Sequence, residues 1–216
     1  MPDSSTLLVF SVAALALILV PGPNVLYIVT GSISQGRRAG FVSALGIDTG
    51  TLVHVAAAAL GLSALLASSA LALNAVKYVG AGYLILLGIR TLLGHHDAGF
   101  DGPRAERRLS RIYLRGVLVN ALNPKVALFF LAFLPQFVDP GKGSVTTQIV
   151  ILGSIFFLLG VLTDTLYAFA AGLLGGWLLR RPGFARRQRH VSGVVYLALG
   201  ALAAFTHVDR AKIQPR

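Results

Sequence analysis

Residues 20–30 read VPGPNVLYIVT, an apolar run interrupted by Pro21-Gly22-Pro23-Asn24. Upstream, FSVAALALILV (10–20) carries no charge, and downstream the apolar run resumes at Val25 and continues to Val29. The stretch 6–30 is long enough to cross a bilayer, which needs about 20 residues. Two prolines and a glycine within it remove or weaken backbone hydrogen bonds that lipid cannot replace. Backbone opened at membrane depth is tolerated where it lines protein or a wet cavity. The stretch therefore predicts a broken helix built around a site.

Composition agrees. Of 216 residues, 55% are hydrophobic and 12% charged, and the mean hydropathy is +0.75. Soluble domains carry about 25% charged residues, so the expected class is an all-α integral membrane protein. A net charge of +11 would suggest nucleic acid in a soluble protein. Here the cations fall in loops between apolar spans, where they set orientation and contact anionic lipid. No basic groove interleaved with aromatics is present, so nucleic acid is not an expected partner. The absence of cysteine excludes disulfides and thiolate metal sites. The N-terminus lacks a basic n-region, and its apolar stretch carries Pro-Gly-Pro in place of a cleavage site, which predicts a retained first span.

Six transmembrane helices are expected, at about 6–30, 41–66, 71–93, 113–138, 147–177 and 191–207. A few small residues, Ala67-Ser68-Ser69-Ala70, join the second to the third as an antiparallel hairpin. The polar stretch 94–112 divides a single transmembrane domain (1–216) into a first repeat, about 6–93, and a second, about 113–207, before a polar tail, 208–216. Arginines 37 and 38, then 90, 104, 107, 108, 111 and 115, then 180, 181, 186, 187 and 189 cluster in the first, third and fifth connections. The positive-inside rule places those connections in the cytoplasm and both termini outside. The pairs Gly36/Gly40, Gly46/Gly50 and Gly172/Gly176, with Gly80, Gly82 and Gly88, suit close helix packing, either in one bundle or in a homodimer.

The fourth span repeats the chemistry of the first. Asn120-Ala121-Leu122-Asn123-Pro124-Lys125 interrupts apolar sequence, so each half opens with a helix broken at a proline motif: Pro21, Gly22 and Pro23, then Pro124. The second span of each half carries an Asp-Thr pair, Asp48-Thr49 and Asp164-Thr165. Three spans per half is odd, so the halves are expected to be inverted repeats, and paired interrupted helices point to a transport site between them.

A charge at mid-bilayer costs at least ~2.5–3.5 kcal/mol, so Asp48 and Asp164 must be paired, protonated or facing a cavity. Lys125 is the expected buried partner. One helical turn sets Thr51 beside Asp48, Tyr167 beside Asp164, and Tyr27 beside Asn24. With Asn123, these residues suit a zwitterion: freed helix N-termini and Lys125 for a carboxylate, aspartates and backbone carbonyls for an ammonium. A carboxylate in a dry site takes up a proton readily, which suits proton coupling. His54 is read as a packing residue, and His95-His96-Asp97 as a solvated loop, so no metal site is expected. No nucleotide or hydrolase signature is present, so no cofactor is expected and ATP drive would need another subunit. An intramembrane enzyme would need a nucleophile–base pair or a metal cluster, and a channel would favour pore-lining repetition; both, with a structural subunit, remain rivals.

At these residues the sequence resembles the lysine exporter family, LysE/RhtB. The resemblance rests on PGPNVLYIVTGSISQGRRAGFVSALGIDTGTLVHVAAAALGLSALL, VKYVGAGYLILLGIRTLL and RGVLVNALNPKVALFFLAFLPQFV. It implies a bacterial inner-membrane secondary carrier that exports an amino acid, or a close derivative, against protons. The PGPN start is more similar to the branch handling threonine, homoserine and leucine. The family's motifs fall on Pro21, Gly22, Pro23 and Asn24, on Asn123, Pro124 and Lys125, and on Asp48; Asp164 rests on the internal symmetry.

Overall fold

The first apolar stretch folds as two helices. In the computed structural model, which describes residues 2–62, 70–93, 108–178 and 182–205, Asp3 caps α1 (Ser4–Leu19) by accepting from the Thr6 backbone N–H at 2.9 Å. That bond satisfies one of the orphan donors of a first turn. The helix stops at Val20 because the Pro21 ring pushes the preceding residue out of helical conformation, and Val20 adopts an extended ψ of 116°. Helix α2 (Pro23–Gln35) restarts with proline in its first turn, where a missing donor costs nothing. The two axes bend by 52°. Gly36, at φ 87°, turns the chain in the left-handed region. From there α3 (Arg37–Ala57) runs into one π-helical turn, Ala58–Leu62.

After α4 (Ala70–Leu93), the second break follows the same chemistry. Helix α5 (Leu109–Ala121) ends before Asn123, and Pro124 opens the short α6 (Pro124–Leu128). The chain continues as a π-helical turn, Phe129–Phe133, and a 3-10 turn, Leu134–Phe137. The bend here is 42°. A 3-10 turn at Pro140–Lys142 leads into α7 (Val145–Leu178), followed by α8 (Pro182–Phe205).

Among the described residues no strand is present. Two helical stretches, Arg37–Gly61 and Val145–Leu173, are long and apolar enough to cross a membrane, and each bent pair counted as one span adds another. Ala81–Leu93 and Gly193–Leu202 are shorter apolar helices. One boundary needs correction. Helix α8 begins at Pro182, so much of the arginine-rich connection expected before residue 191 is helical; proline is at home in a first turn, and arginine is a good helix former. Residues 67–69 of the expected hairpin, 94–107 of the long loop (with His95, His96 and Asp97) and 206–216 lie outside the described residues.

Helix α3 packs against α5 and α7, α1 and α2 against α7, and α4 against α8. Glycine permits the tightest of these approaches. A Cβ on Gly46 would overlap the Tyr113 carbonyl and lie 3.1 Å from Gly116 Cα, and one on Gly88 would lie 3.0 Å from the Gly193 carbonyl. Gly46/Gly50 thus packs inside the chain, whereas Gly82 faces nothing within 4 Å. Along α7, Phe156, Asp164 and Ala168 face inward while Leu158, Leu162, Leu166, Phe169 and Leu173 stand more than half exposed. An outward stripe of this kind suits lipid and would be a liability in water.

Candidate functional site

The two breaks lie side by side, joined by a run of asparagine amides. Asn123 caps α6, its Oδ1 accepting from the Lys125 backbone N–H at 3.0 Å. Its Nδ2 donates to Asn24 Oδ1 at 2.8 Å. Asn24 Nδ2 donates in turn to Asn120 Oδ1 at 2.9 Å. Asn120 Nδ2 donates to the Ile47 carbonyl at 2.6 Å and to Thr51 Oγ1 at 2.7 Å. The series starts on a backbone donor and ends on a backbone acceptor, which assigns the orientation of every amide between them.

Beside this run lies a cavity of about 30 Å³. Gly22, Asn24, Thr51, Asn123, Lys125 and Asp164 supply its polar lining, and Leu17, Ile18, Val25, Ile47, Val126 and Phe156 its apolar wall. Asp48 reaches toward the same place from α3. Its Oδ1 lies 3.7 Å from where a Cβ on Gly160 would sit, and Gly160 is one turn before Asp164 on α7. Both aspartates are only 5% exposed, and among the described residues neither carboxyl group has a hydrogen-bond donor. A buried polar group without a partner is costly, and an ionised one more so. These carboxyls are placed to take a proton or a ligand's donor.

Lys125 departs from expectation. Among the described residues it forms no ion pair with either aspartate. Its Nζ donates to the Val20 carbonyl at 2.7 Å and lies 5.5 Å from the centre of the Tyr196 ring. The first break leaves that carbonyl without a helical donor, at the negative end of α1, where a cation is favoured. Tyr167 serves the same helix end, donating to the Leu19 carbonyl at 3.0 Å. Tyr27 donates to the Ile112 carbonyl at 2.8 Å. Neither tyrosine lines the cavity. His54 packs its ring on Phe130, with centroids 6.0 Å apart, and places Nε2 2.8 Å from the Asn120 carbonyl.

Sequence reasoning passed over Asn120 and Gly160. The signal for Asn120 was present, since a second asparagine stands three residues before Asn123; Gly160 carried none. Among the described residues, no three His, Asp or Glu side chains gather to hold a metal ion. Outside the apolar segments, Lys142 Nζ lies 2.7 Å from Asp3 Oδ2, and this bond holds the Asp3 carboxyl well below the usual carboxylate range.

Known proteins resemble the chain along most of its length. Residues 15–207 match the family described as LysE type translocator. The chain is 30% identical over 186 residues to the homoserine/homoserine lactone efflux protein of Salmonella typhimurium, covering 86% of this chain and 89% of that protein. It is 27% identical over 202 residues to the leucine efflux protein of Enterobacter sp., covering 92% and 94%. It is also 27% identical over 204 residues to the uncharacterized membrane protein YrhP of Bacillus subtilis, covering 90% and 96%. No solved structure matches the chain.

Proposed function

The chain belongs to the LysE type translocator family, and we propose that it exports a neutral amino acid or a close derivative in exchange for protons. Membership makes it a transporter and not an enzyme, and its apolar helices together with relatives named as membrane proteins make it a multi-pass protein of the bacterial inner membrane. The observation that carries the reading is the pair of buried carboxyls, Asp164 lining a cavity between two opened helices and Asp48 beside it, neither with a hydrogen-bond donor among the described residues. The substrate ammonium goes to these carboxyls. Its carboxylate goes to Lys125 and to the N-terminus of α2, whose first N–H groups have no helical partner. The apolar wall takes an uncharged side chain, in keeping with relatives named for homoserine and leucine efflux.

Proton coupling follows from competition. Either a proton or an ammonium satisfies a buried carboxyl, so loading one releases the other. The cavity has room for only about two water molecules, so an amino acid enters only when the opened helices part. The fold proposed for this exchange is six spans in two inverted repeats, with both termini outside. Its support is the likeness of the two breaks and the pairing of corresponding helices, α3 with α7 and α4 with α8.

The test is release of radiolabelled L-leucine, L-homoserine or L-threonine from proteoliposomes, with and without a proton gradient. Release of at least one, accelerated by the gradient and lost in Asp48→Asn at normal membrane insertion, is the expected result. Gradient-independent release would instead indicate a channel. Normal export by Asp48→Asn would remove that residue from the mechanism.

A further inference from the structure

We infer that Asn120 is a positioning residue for substrate: it stays outside the cavity and sets the Asn24 amide and the Asp48 turn of α3 in register with each other. This deepens the proposed function and rests on the cavity being an amino-acid site. Asn120 is fully buried, at the end of the helix that precedes the second break. Its side chain uses both amide hydrogens and its oxygen: Oδ1 accepts from Asn24, and the two Nδ2 hydrogens go to the Ile47 carbonyl and Thr51 Oγ1. Ile47 and Thr51 stand immediately before and one turn after Asp48. One amide therefore connects the first break, the second break and the aspartate-bearing turn.

Three further contacts remove its freedom to move. The Asn120 carbonyl accepts from the Asn123 N–H at 2.9 Å and faces His54 Nε2 at 2.8 Å. On the other side a Cβ added to Gly50 would lie 2.7 Å from Asn120 Cβ, so α3 presses directly on it. A fully satisfied buried network is rigid, whereas a purely packing position at this crossing would be served by an apolar residue. The consequence for substrate lies in Asn24. One Nδ2 hydrogen goes to Asn120 and one Oδ1 lone pair to Asn123. What remains of Asn24 is one N–H and one Oδ1 lone pair; the N–H, whose direction Asn120 helps to set, suits a carboxylate oxygen.

The experiment measures KM and Vmax for release of radiolabelled L-leucine and L-homoserine from proteoliposomes containing wild type, Asn24→Ala, Asn120→Ala or the double variant, alongside thermal melting of each in detergent. Loss of one aligned hydrogen bond predicts a KM raised about tenfold in Asn120→Ala with Vmax much less affected. The double variant is expected to fall clearly short of the product of the two single effects, because Asn120 acts in part through Asn24. Asn120→Ser, which keeps a hydroxyl, is expected to fall between wild type and Asn120→Ala. An unchanged KM with a lowered melting temperature would reduce Asn120 to packing, and multiplying effects in the double variant would disconnect it from Asn24; either overturns the inference. Failure of both Asn120 variants to reach the membrane would make it a folding residue and overturn it as well. Wild type releasing neither amino acid would instead strike the proposed function, and the inference with it.

Discussion

The two helix breaks share a proline and an asparagine yet are held in different ways. The second is capped locally: Asn123 caps its own helix, accepting from the Lys125 backbone N–H. The first has no side-chain cap. Gly22 has no side-chain oxygen, and the open end of α1 is closed by Lys125 and Tyr167, both from the far half of the chain. A break secured by its own turn survives a rearrangement of the bundle. One secured from across the bundle must exchange partners when the halves move. The first break is thus the one whose bonds depend on the conformational state.

The largest effect that would test this difference is expected for Lys125→Met. The substitution leaves the Val20 carbonyl without its donor and removes the cation proposed for the substrate carboxylate. Together these cost about 3 kcal/mol, on the order of a hundredfold in efflux. Efflux near the wild-type rate would mean that packing alone secures the first break.

Asn123→Ala ranks next. Loss of an asparagine cap costs about 1 kcal/mol, read as a drop of a few degrees in thermal melting. Gly22→Ala, the matching change at the first break, is expected within about 0.5 kcal/mol of wild type. Its backbone is extended (φ −141°, ψ −165°), and a Cβ would make ordinary contacts of 3.6–3.7 Å with Tyr196 and Lys125. Equal losses in the two variants would erase the distinction between a local and a distant hold.

The smallest effect belongs to the exposed pair at the far end of α1. Asp3→Asn keeps a capping oxygen and removes only the charge facing Lys142. Because the bond to Lys142 lowers the Asp3 pKa in the folded chain, its contribution is complete above the unfolded carboxylate value near 3.8 and fades as the pH falls through the lower folded value. The melting temperatures of wild type and Asp3→Asn should therefore differ slightly at neutral pH and converge in acid. High salt should narrow the gap too, since both groups are solvated. A gap that widened in acid would contradict this assignment.

Both interruptions were legible at Pro21, Pro23 and Pro124, because a proline ring acts on its own turn whatever surrounds it. The inward place of Asp48 and Asp164 was legible too, since an apolar span leaves a carboxyl no other low-energy position. Partners were another matter. Lys125 was expected to meet an aspartate and instead reaches a backbone carbonyl. Tyr27 and Tyr167, one turn from cavity residues, also donate to carbonyls. Which acceptor a long side chain finds depends on where a distant helix ends, and spacing along the chain carries no record of that.

Residue order alone therefore settled where the helices open and which charges face inward, since both follow from local sterics and from the cost of charge in hydrocarbon. The fold decided what holds each opening and gathered Asn24, Asn120, Asn123 and Thr51 into one hydrogen-bonded run. Those bonds join residues up to 99 positions apart, and only packing in three dimensions brings their atoms within reach.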